Sequence, residues 1–302
     1  MYEAFYGFKE KPFTLQTNPG LLYMGGVHTA AYSMLEYGLL NQAGFTVITG
    51  EIGCGKTTLL ARVLEGIGSR QVLGCINHTH ENMGDLLPWV LHAFGLDYSA
   101  ESQIKQYDIF KNFLIKSKRK GHTVILVVDE AQNLSLSLLE ELRTLSNVNF
   151  GADQLLQIIL VGQPELRDKL KHPNLRQFVQ RIAVDYHIPS LDRGETAKYI
   201  EHRLKAVGRS EPLFTVKALG MINYLSDGVP RVINVICDTV LSYGFADGKQ
   251  EIDERYIVSV IKDRAEGGLL ALGFEPKKKG ASKLPSQNSI LGSERLDALT
   301  SA

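Results

Sequence analysis

The chain has 302 residues, enough for two domains of about 150 residues each. Its 33 acidic and 33 basic side chains give a formal net charge of zero, so no overall field draws it to nucleic acid or anionic lipid. The three cysteines are widely spaced and odd in number, which favours a reduced, cytoplasmic chain. Neither a membrane-spanning apolar run nor a signal peptide is predicted, so we expect a soluble protein that can still dock at a membrane.

An aromatic, turn-rich lead opens the chain and is followed by a predicted helix over residues 28–41. The aromatic residues Phe5, Phe8, Phe13 and Tyr23 either pack in a core or line a ligand pocket. His28 stands at the start of the predicted helix, where it either contacts a ligand or serves as a cap or surface residue.

A buried strand is predicted for the run from Phe45, FTVITG, which breaks into a glycine-rich turn and then opens a helix at Lys56. Gly50, Gly55, Lys56 and Thr57 fit the pattern G-x-x-x-x-G-K-[ST]. In this pattern backbone N–H groups surround phosphates, the lysine reaches the β- and γ-phosphates, and the threonine hydroxyl holds Mg²⁺. A glycine-rich turn that contains Lys-Thr by coincidence is the alternative, and the strand before it and the helix after it disfavour that interpretation.

The glycines permit a tight turn and a close approach to an anion, and the helix directs the positive end of its dipole at the phosphates. The lead aromatics and His28 are then candidates for an adenine pocket beside the loop. The residues assigned to nucleotide binding in the loop are Gly50, Glu51, Ile52, Gly53, Cys54, Gly55, Lys56, Thr57 and Thr58.

A second strand is predicted at residues 72–77, with helices at 82–94 and 102–118. Strands that alternate with helices indicate a parallel sheet. His78 and His80 could suggest a metal site, but without a nearby cluster of cysteines or carboxylates we favour an ordinary structural role.

The stretch VILVVDEAQ, residues 124–132, predicts a strand that is buried on both faces and ends in two acids. In enzymes with a phosphate-binding loop, an aspartate at this strand end completes the Mg²⁺ shell, and we assign that role to Asp129. Glu130 lies one residue further and is the candidate general base for a water that attacks the γ-phosphate. Loop and acids together predict ATP or GTP hydrolysis with Mg²⁺ as the cofactor.

A helix at 135–147 and another apolar strand at 155–161 follow. This strand suits a sheet in which it is inserted between the phosphate-loop strand and the acid-bearing strand. Gln163 would then lie beside the γ-phosphate and could sense it by a hydrogen bond, or it could be an ordinary turn residue before Pro164. Arg176 and Arg181 precede a last strand at 182–188.

From Pro189 onward the pattern is helical. Asp192 and Glu195 predict a capping box for a first helix, and further helices are predicted at 215–225, 229–245 and 253–264. Arg231, in the first turn of the third of these helices, could reach back to the nucleotide.

The expected organisation is an α/β nucleotide-binding domain at 1–189, including the lead, and a small all-helical lid at 190–268. A polar tail without apolar periodicity at 269–302 is expected to be disordered.

The order of these features resembles an AAA+ ATPase, a P-loop NTPase whose parallel sheet is flanked by helices and followed by a helical lid. The segments GEIGCGKTT, VVDEAQNL, LVGQPELRDKL and LRQFVQRI, with the lead, are similar to ATPases of the general secretion pathway protein A (ExeA) type. The resemblance implies a cytoplasmic ATPase, possible also at the inner membrane surface, that forms a ring and serves a protein partner in envelope secretion, pilus or exopolysaccharide export. Well-known members continue into a membrane span and a peptidoglycan-binding domain, and we expect a short form without either.

The AAA+ resemblance also implies that Arg181 acts as an arginine finger on the nucleotide of a neighbouring subunit, with Arg176 in reserve. A surface ion pair is the alternative role for Arg181. A DNA-linked AAA+ regulator of the transposition-helper kind is the rival function, but neutral charge and the lack of a basic DNA-binding segment disfavour it, and no sequence-specific nucleic acid binding is expected. A nucleotide-gated scaffold with negligible turnover is a third interpretation.

Overall fold

The computed structural model describes residues 1–15, 21–66, 68, 70–77, 79–80, 83–100, 102–150 and 153–267. The tail expected to be disordered and His78 lie outside these residues. Within them, a parallel sheet covered by helices is followed by a helical region, as the sequence predicts.

The strands of the described part are β1 (Phe45–Gly50), β2 (Gln71–Ile76), β3 (Thr123–Val128), β4 (Asn149–Phe150), β5 (Asp153–Gln154), β6 (Leu156–Gly162) and β7 (Ile182–Ile188). β4 and β5 form a short antiparallel hairpin that was not predicted, and the others form a parallel sheet in the order β2-β3-β6-β1-β7. β6 therefore lies between β1 and β3, which confirms the expected inserted strand. Because Thr49 pairs with Gly162 and Val128 with Leu160, the carboxyl ends of these strands meet at one edge.

The helices of the described part are α1 (Glu3–Tyr6), α2 (Gly26–Leu40), α3 (Lys56–Glu65), α4 (Leu86–Ala93), α5 (Gln103–Arg119), α6 (Leu136–Leu145), α7 (Pro164–Leu170), α8 (Arg176–Val179), α9 (Arg193–Ala206), α10 (Val216–Ser226), α11 (Pro230–Ala246) and α12 (Glu254–Gly267). Most bounds lie within two or three residues of the prediction. α4 begins four residues later than expected because Gly84 has a φ of +72° and Asp85 is extended, which keeps the backbone out of the helical region until Leu86.

The central strands β1, β3 and β6 are buried on both faces, because helices cover the sheet on both sides. On one side Val47, Leu126 and Leu160 belong to a core shared with α4, α5 and α6. On the other side Ile48 and Val127 belong to a core shared with α2 and α3. This double cover explains why these strands read as continuous apolar runs rather than as alternating patterns.

The helical region begins at the predicted cap. The Asp192 side chain accepts a hydrogen bond from the Glu195 N–H at 2.7 Å, which is half of a capping box. The Glu195 carboxylate accepts a hydrogen bond from the Tyr23 hydroxyl at 3.0 Å and so joins the helical region to the lead.

The lead packs against the helical region rather than against the sheet. Tyr2, Tyr6, Phe8 and Phe13 are buried in the core built by α9 to α12, so the packing alternative applies to the lead aromatics there. This differs from the sequence-based grouping of the lead with the α/β domain. The contacts join residues about two hundred positions apart, and no local periodicity in the lead identifies such a distant partner.

Arg203 fastens the lead to the helical region. Its guanidinium is buried and donates hydrogen bonds to the backbone carbonyl oxygens of Pro12 at 2.6 Å, Thr14 at 3.2 Å and Leu21 at 3.3 Å. A buried charge is tolerated only where such partners replace water. The Arg203 side chain of α9 thus binds the backbone both before residue 16 and after residue 20.

The link between α10 and α11 requires glycine at position 228. Gly228 has a φ of +71°, and a Cβ atom there would lie 1.9 Å from the Leu191 carbonyl oxygen. Gly248 offers a matched control, since its φ is +68° but its Cβ position is open.

We expect Gly228→Ala to lower the free energy of unfolding by roughly 3 kcal/mol or more, because a backbone clash adds to the left-handed strain. Gly248→Ala should cost only the strain, about 1–2 kcal/mol. Thermal and denaturant unfolding of the two variants measures the difference, and equal losses would contradict the clash.

Candidate nucleotide site

The glycine-rich loop leaves β1 and turns into α3 at the edge of the sheet where β3 and β6 also end. Gly53 and Gly55 have φ values of +80° and +95°, a region in which residues with a Cβ are strained. The loop therefore directs successive N–H groups and the first turn of α3 toward one point, the arrangement that binds phosphate.

Lys56 is buried at the start of α3 and spans the loop. Its ammonium donates hydrogen bonds to the carbonyl oxygens of Gly50 at 2.8 Å and Glu51 at 3.0 Å. A lysine ammonium has three donors, so one remains for a phosphate oxygen. Gly50 and Glu51 thus serve the site by positioning Lys56, while residues 52–58 line the cavity directly.

Asp129 directly follows β3 and faces the loop. Its Oδ2 accepts a hydrogen bond from the Thr57 hydroxyl at 3.1 Å, and its Oδ1 accepts one from the Glu130 N–H at 2.8 Å. A hydroxyl and a carboxylate next to a phosphate-binding loop are the hard oxygen donors that suit Mg²⁺, which usually keeps several waters and also binds phosphate oxygens. Thr57 and Asp129 therefore fit the predicted metal site.

Glu130 lines the cavity and has a φ of +52°, an unusual conformation for a residue with a side chain. Its Oε2 accepts hydrogen bonds from the Gln132 amide at 2.6 Å and the Gln163 amide at 3.2 Å. Burial by itself raises the pKa of Glu130, but these hydrogen bonds and the nearby Lys56 ammonium outweigh it and hold the pKa below its usual value. The carboxylate is therefore ionised at neutral pH.

Gln163 directly follows β6 and lies beside Glu130, while its expected place beside the γ-phosphate stays a prediction. Sequence reasoning did not single out Gln132, which bonds to both Glu130 and Gln163. The only signal in the sequence is its place two positions after the candidate base Glu130, because the burial of Gln132, which requires hydrogen-bond partners, is seen only in the structure.

The lid contacts the loop at Arg231. The Arg231 N–H donates to the Gly53 carbonyl oxygen at 3.1 Å, and a Cβ on Gly53 would lie 2.4 Å from the Arg231 Cβ. Gly53 is thus required both by its φ and by the close approach of α11. Arg231 lines the cavity, and its expected contact with a nucleotide stays a prediction.

The remaining wall is built by the lead and by α2. His28 is buried, and its Nε2 lies 2.8 Å from the Cys54 carbonyl oxygen. Burial lowers the pKa of His28, and the hydrogen bond to Cys54 only partly opposes it, so the ring is neutral near pH 7. Its Nδ1 has no hydrogen-bond partner within the described part of the chain.

Together the loop, the lead and the lid enclose a cavity of about 320 Å³. Leu21, Leu22, Tyr23 and Pro230 give its lining an apolar part. This part has the character of a base pocket, because the same cavity is also lined by the residues of the phosphate loop.

Arg181 and Arg176 lie away from this cavity. Ile182 pairs with Phe45 at the start of β1, whereas Gly50 pairs with Ile188 at the other end, so Arg181 precedes the far edge of the sheet. At about 3.3 Å per strand residue the two edges are about 20 Å apart, too far for Arg181 to reach the loop of its own chain. Arg181 donates to the Ser146 hydroxyl at 3.1 Å, and Arg176 is exposed.

His80 packs edge-on against Trp89, and no cluster of His, Cys, Asp or Glu able to hold a metal occurs among the described residues. None of the helices in the described ranges is both long and apolar enough to cross a membrane.

A family model described as an AAA domain matches residues 40–170. The chain is 37% identical over 279 residues to general secretion pathway protein A of Aeromonas hydrophila, an alignment that covers 89% of this chain and 51% of that protein. The chain thus spans about half the length of this relative.

Two solved structures share the fold. Cdc6p of Pyrobaculum aerophilum is 15% identical with a TM-score of 0.64, covering 83% of this chain and 70% of its own. The ORC2 protein of Aeropyrum pernix is 19% identical with a TM-score of 0.60, and the match covers 85% of this chain and 72% of the ORC2 chain. Together, these findings show that residues 40–170 match an AAA domain, that the chain has the fold of these AAA+ proteins, and that it is similar to general secretion pathway protein A.

Proposed function

We propose that this AAA+ ATPase binds ATP with Mg²⁺ in the cavity between loop, lead and lid, and uses its hydrolysis to assist a bacterial envelope secretion, pilus or exopolysaccharide export system. The name and the 37% identity of the secretion-pathway relative support the biological role. The observation that carries the biochemical part is the convergence of Lys56, Thr57, Asp129 and Glu130 at one edge of the sheet. The site of action proposed is the cytoplasmic surface of the inner membrane.

In the proposed mechanism each residue acts from its place in the structure. Lys56 and the loop N–H groups bind the β- and γ-phosphates. Arg231 forms the part of the cavity wall that the lid contributes. Thr57 and Asp129 would hold Mg²⁺, which would neutralise charge on the phosphates. Glu130 orients a water and accepts its proton, and Gln163 detects the γ-phosphate by a hydrogen bond.

The base is proposed to be adenine. The apolar wall of Leu21, Leu22 and Pro230 suits a purine face, and neutral His28 adds no charge to it. The lead and the lid form this wall jointly, so the affinity for the adenine base should depend on both.

The first prediction contrasts two variants of the site. Lys56→Ala should lose ATP binding, because it removes the charge that opposes the phosphates. Glu130→Gln should keep binding but lose about 10²- to 10⁴-fold in turnover, because the metal site is intact while the water has no base. Equilibrium binding of a fluorescent ATP analogue and steady-state hydrolysis measure the two effects. Near-normal hydrolysis by Glu130→Gln would place the base elsewhere.

A second prediction concerns Arg181 and an oligomeric ring. We propose that Arg181 acts on the nucleotide of a neighbouring subunit, since its own loop is out of reach. Arg181→Ala should bind ATP but lose about 10³-fold or more in turnover, as an arginine finger does. If Arg181 served only to make the partly buried hydrogen bond to Ser146, its loss would change the rate little.

Mixing Arg181→Ala with Lys56→Ala tests the action between subunits. Lys56→Ala lacks a working site but keeps Arg181, so mixed oligomers should recover part of the activity. Arg176→Ala is the matched comparison on the same surface. Normal hydrolysis by Arg181→Ala, or no recovery although mixed oligomers form, would refute the assignment.

The third prediction concerns the partner. Glu130→Gln should accumulate the ATP-bound form in cells, whereas Lys56→Ala should not form it. Crosslinking followed by protein identification should therefore recover envelope-export proteins with Glu130→Gln more strongly than with Lys56→Ala. Recovery of specific DNA sequences in place of envelope proteins would favour the transposition-helper alternative.

A further inference from the structure

Gln132 connects the ends of two neighbouring strands beside the proposed catalytic acid. It lies in the 3₁₀ turn Ala131–Asn133 that follows β3, and its side chain is 8% exposed. Its Oε1 accepts a hydrogen bond from the Gln163 N–H at 3.0 Å, and its Nε2 donates to the Glu130 Oε2 at 2.6 Å. One amide thus spans the ends of β3 and β6.

The backbone fixes which way this amide faces. The Gln163 N–H can only donate, so the Gln132 oxygen must point to it and the Gln132 nitrogen must point to Glu130. Gly162 keeps the space open, because a Cβ there would lie 3.0 Å from the Gln132 Oε1 and 2.8 Å from the Leu166 Cδ2. The direction of the Gln132 donor is therefore set by the fold.

Glu130 depends on such support. Its backbone has a φ of +52°, and Thr79 donates from its hydroxyl to the Glu130 carbonyl oxygen at 2.7 Å. The carboxylate itself is held by two amides on the same oxygen, from Gln132 at 2.6 Å and Gln163 at 3.2 Å. These two donors are not equivalent, because only the Gln132 side chain is anchored at its other end by a backbone group.

This difference suggests separate roles for the two amides. The longer hydrogen bond belongs to Gln163, whose side chain can turn from Glu130 to a γ-phosphate. Gln132 cannot turn in the same way without leaving the Gln163 N–H, in a partly buried position, without an acceptor, which is unfavourable. Gln132 therefore stays on Glu130 when Gln163 changes partner.

We propose that Gln132 is a positioning residue that holds the Glu130 carboxylate in its attack geometry while Gln163 engages the γ-phosphate. The inference rests on the proposed role of Glu130 as the base. The Gln132 side chain bonds to the Glu130 carboxylate and to the Gln163 N–H, and not to the phosphate loop or the lid, so its effect should appear in turnover and not in ATP binding.

The test is Gln132→Met, which keeps the length of the side chain but removes both hydrogen bonds. We expect turnover at saturating ATP to fall about 10- to 100-fold, since a small misplacement of a catalytic group has effects of this size. The dissociation constant for a fluorescent ATP analogue should change less than about 3-fold, because the affinity depends on the loop and the lid. Gln157→Met is the matched control, because Gln157 is a buried glutamine in β6 that bonds to the Leu39 carbonyl oxygen, away from the site.

The double variant of Gln132→Met and Glu130→Gln distinguishes a positioning role of Gln132 from a general disturbance of the site. If Gln132 acts through Glu130, Gln132→Met should cause no further loss in single-turnover hydrolysis once Glu130→Gln is present. A further full loss in that background, or wild-type turnover by Gln132→Met, would overturn the proposal. If Gln132→Met does not fold, Gln132→Asn replaces it, because its side chain is one methylene too short to span both partners. The same results in turnover and in the double variant are then expected of Gln132→Asn. Failure of Glu130→Gln to stop turnover would instead refute the proposed role of Glu130.

Discussion

The parallel register of three neighbouring strands is the constraint on which the site depends. Because β6 pairs with β1 on one side and with β3 on the other, the glycine loop, the two acids and Gln163 leave the sheet at the same edge. Helices cover both faces of the sheet, so these strands are mostly apolar, and the two acids and Gln163 stand directly after the strand ends. Chemistry at the carboxyl edge of the sheet follows from this burial.

The polar groups at that edge satisfy one another. Thr57 bonds to Asp129, the Glu130 N–H bonds to the other oxygen of Asp129, and the amides of Gln132 and Gln163 bond to the Glu130 carboxylate. In a partly buried site an unpaired polar group costs more than a hydrogen bond returns, so each partner restricts the others. The network thereby holds the proposed metal site and the proposed base in one arrangement.

The second physical link is the contact of the helical region with both the loop and the lead. Arg231 bonds to Gly53 through its backbone, and Arg203 bonds to three carbonyl oxygens of the lead. The lead and the lid share one apolar core, so they form a single wall of the cavity. In the proposed function, a nucleotide that binds between loop and wall acts on both parts at once, and movement of the wall is a direct route from the site to a partner.

Much of the site was determined by local sequence. The loop glycines, Lys56 and Thr57 form one short motif, and Asp129 and Glu130 are neighbours directly after β3, so the spacing within each group implies its chemistry without knowledge of the fold. The inserted position of β6 was also predicted, whereas the expected place of Gln163 beside the γ-phosphate stays a prediction. By contrast, the role of Gln132, the packing of the lead on the helical region and the hold of Arg203 on three carbonyl oxygens depend on residues far apart in sequence. Such contacts have no local periodicity or spacing, because side-chain directions and distant neighbours are fixed only when the chain is folded, and so only the tertiary structure decided them.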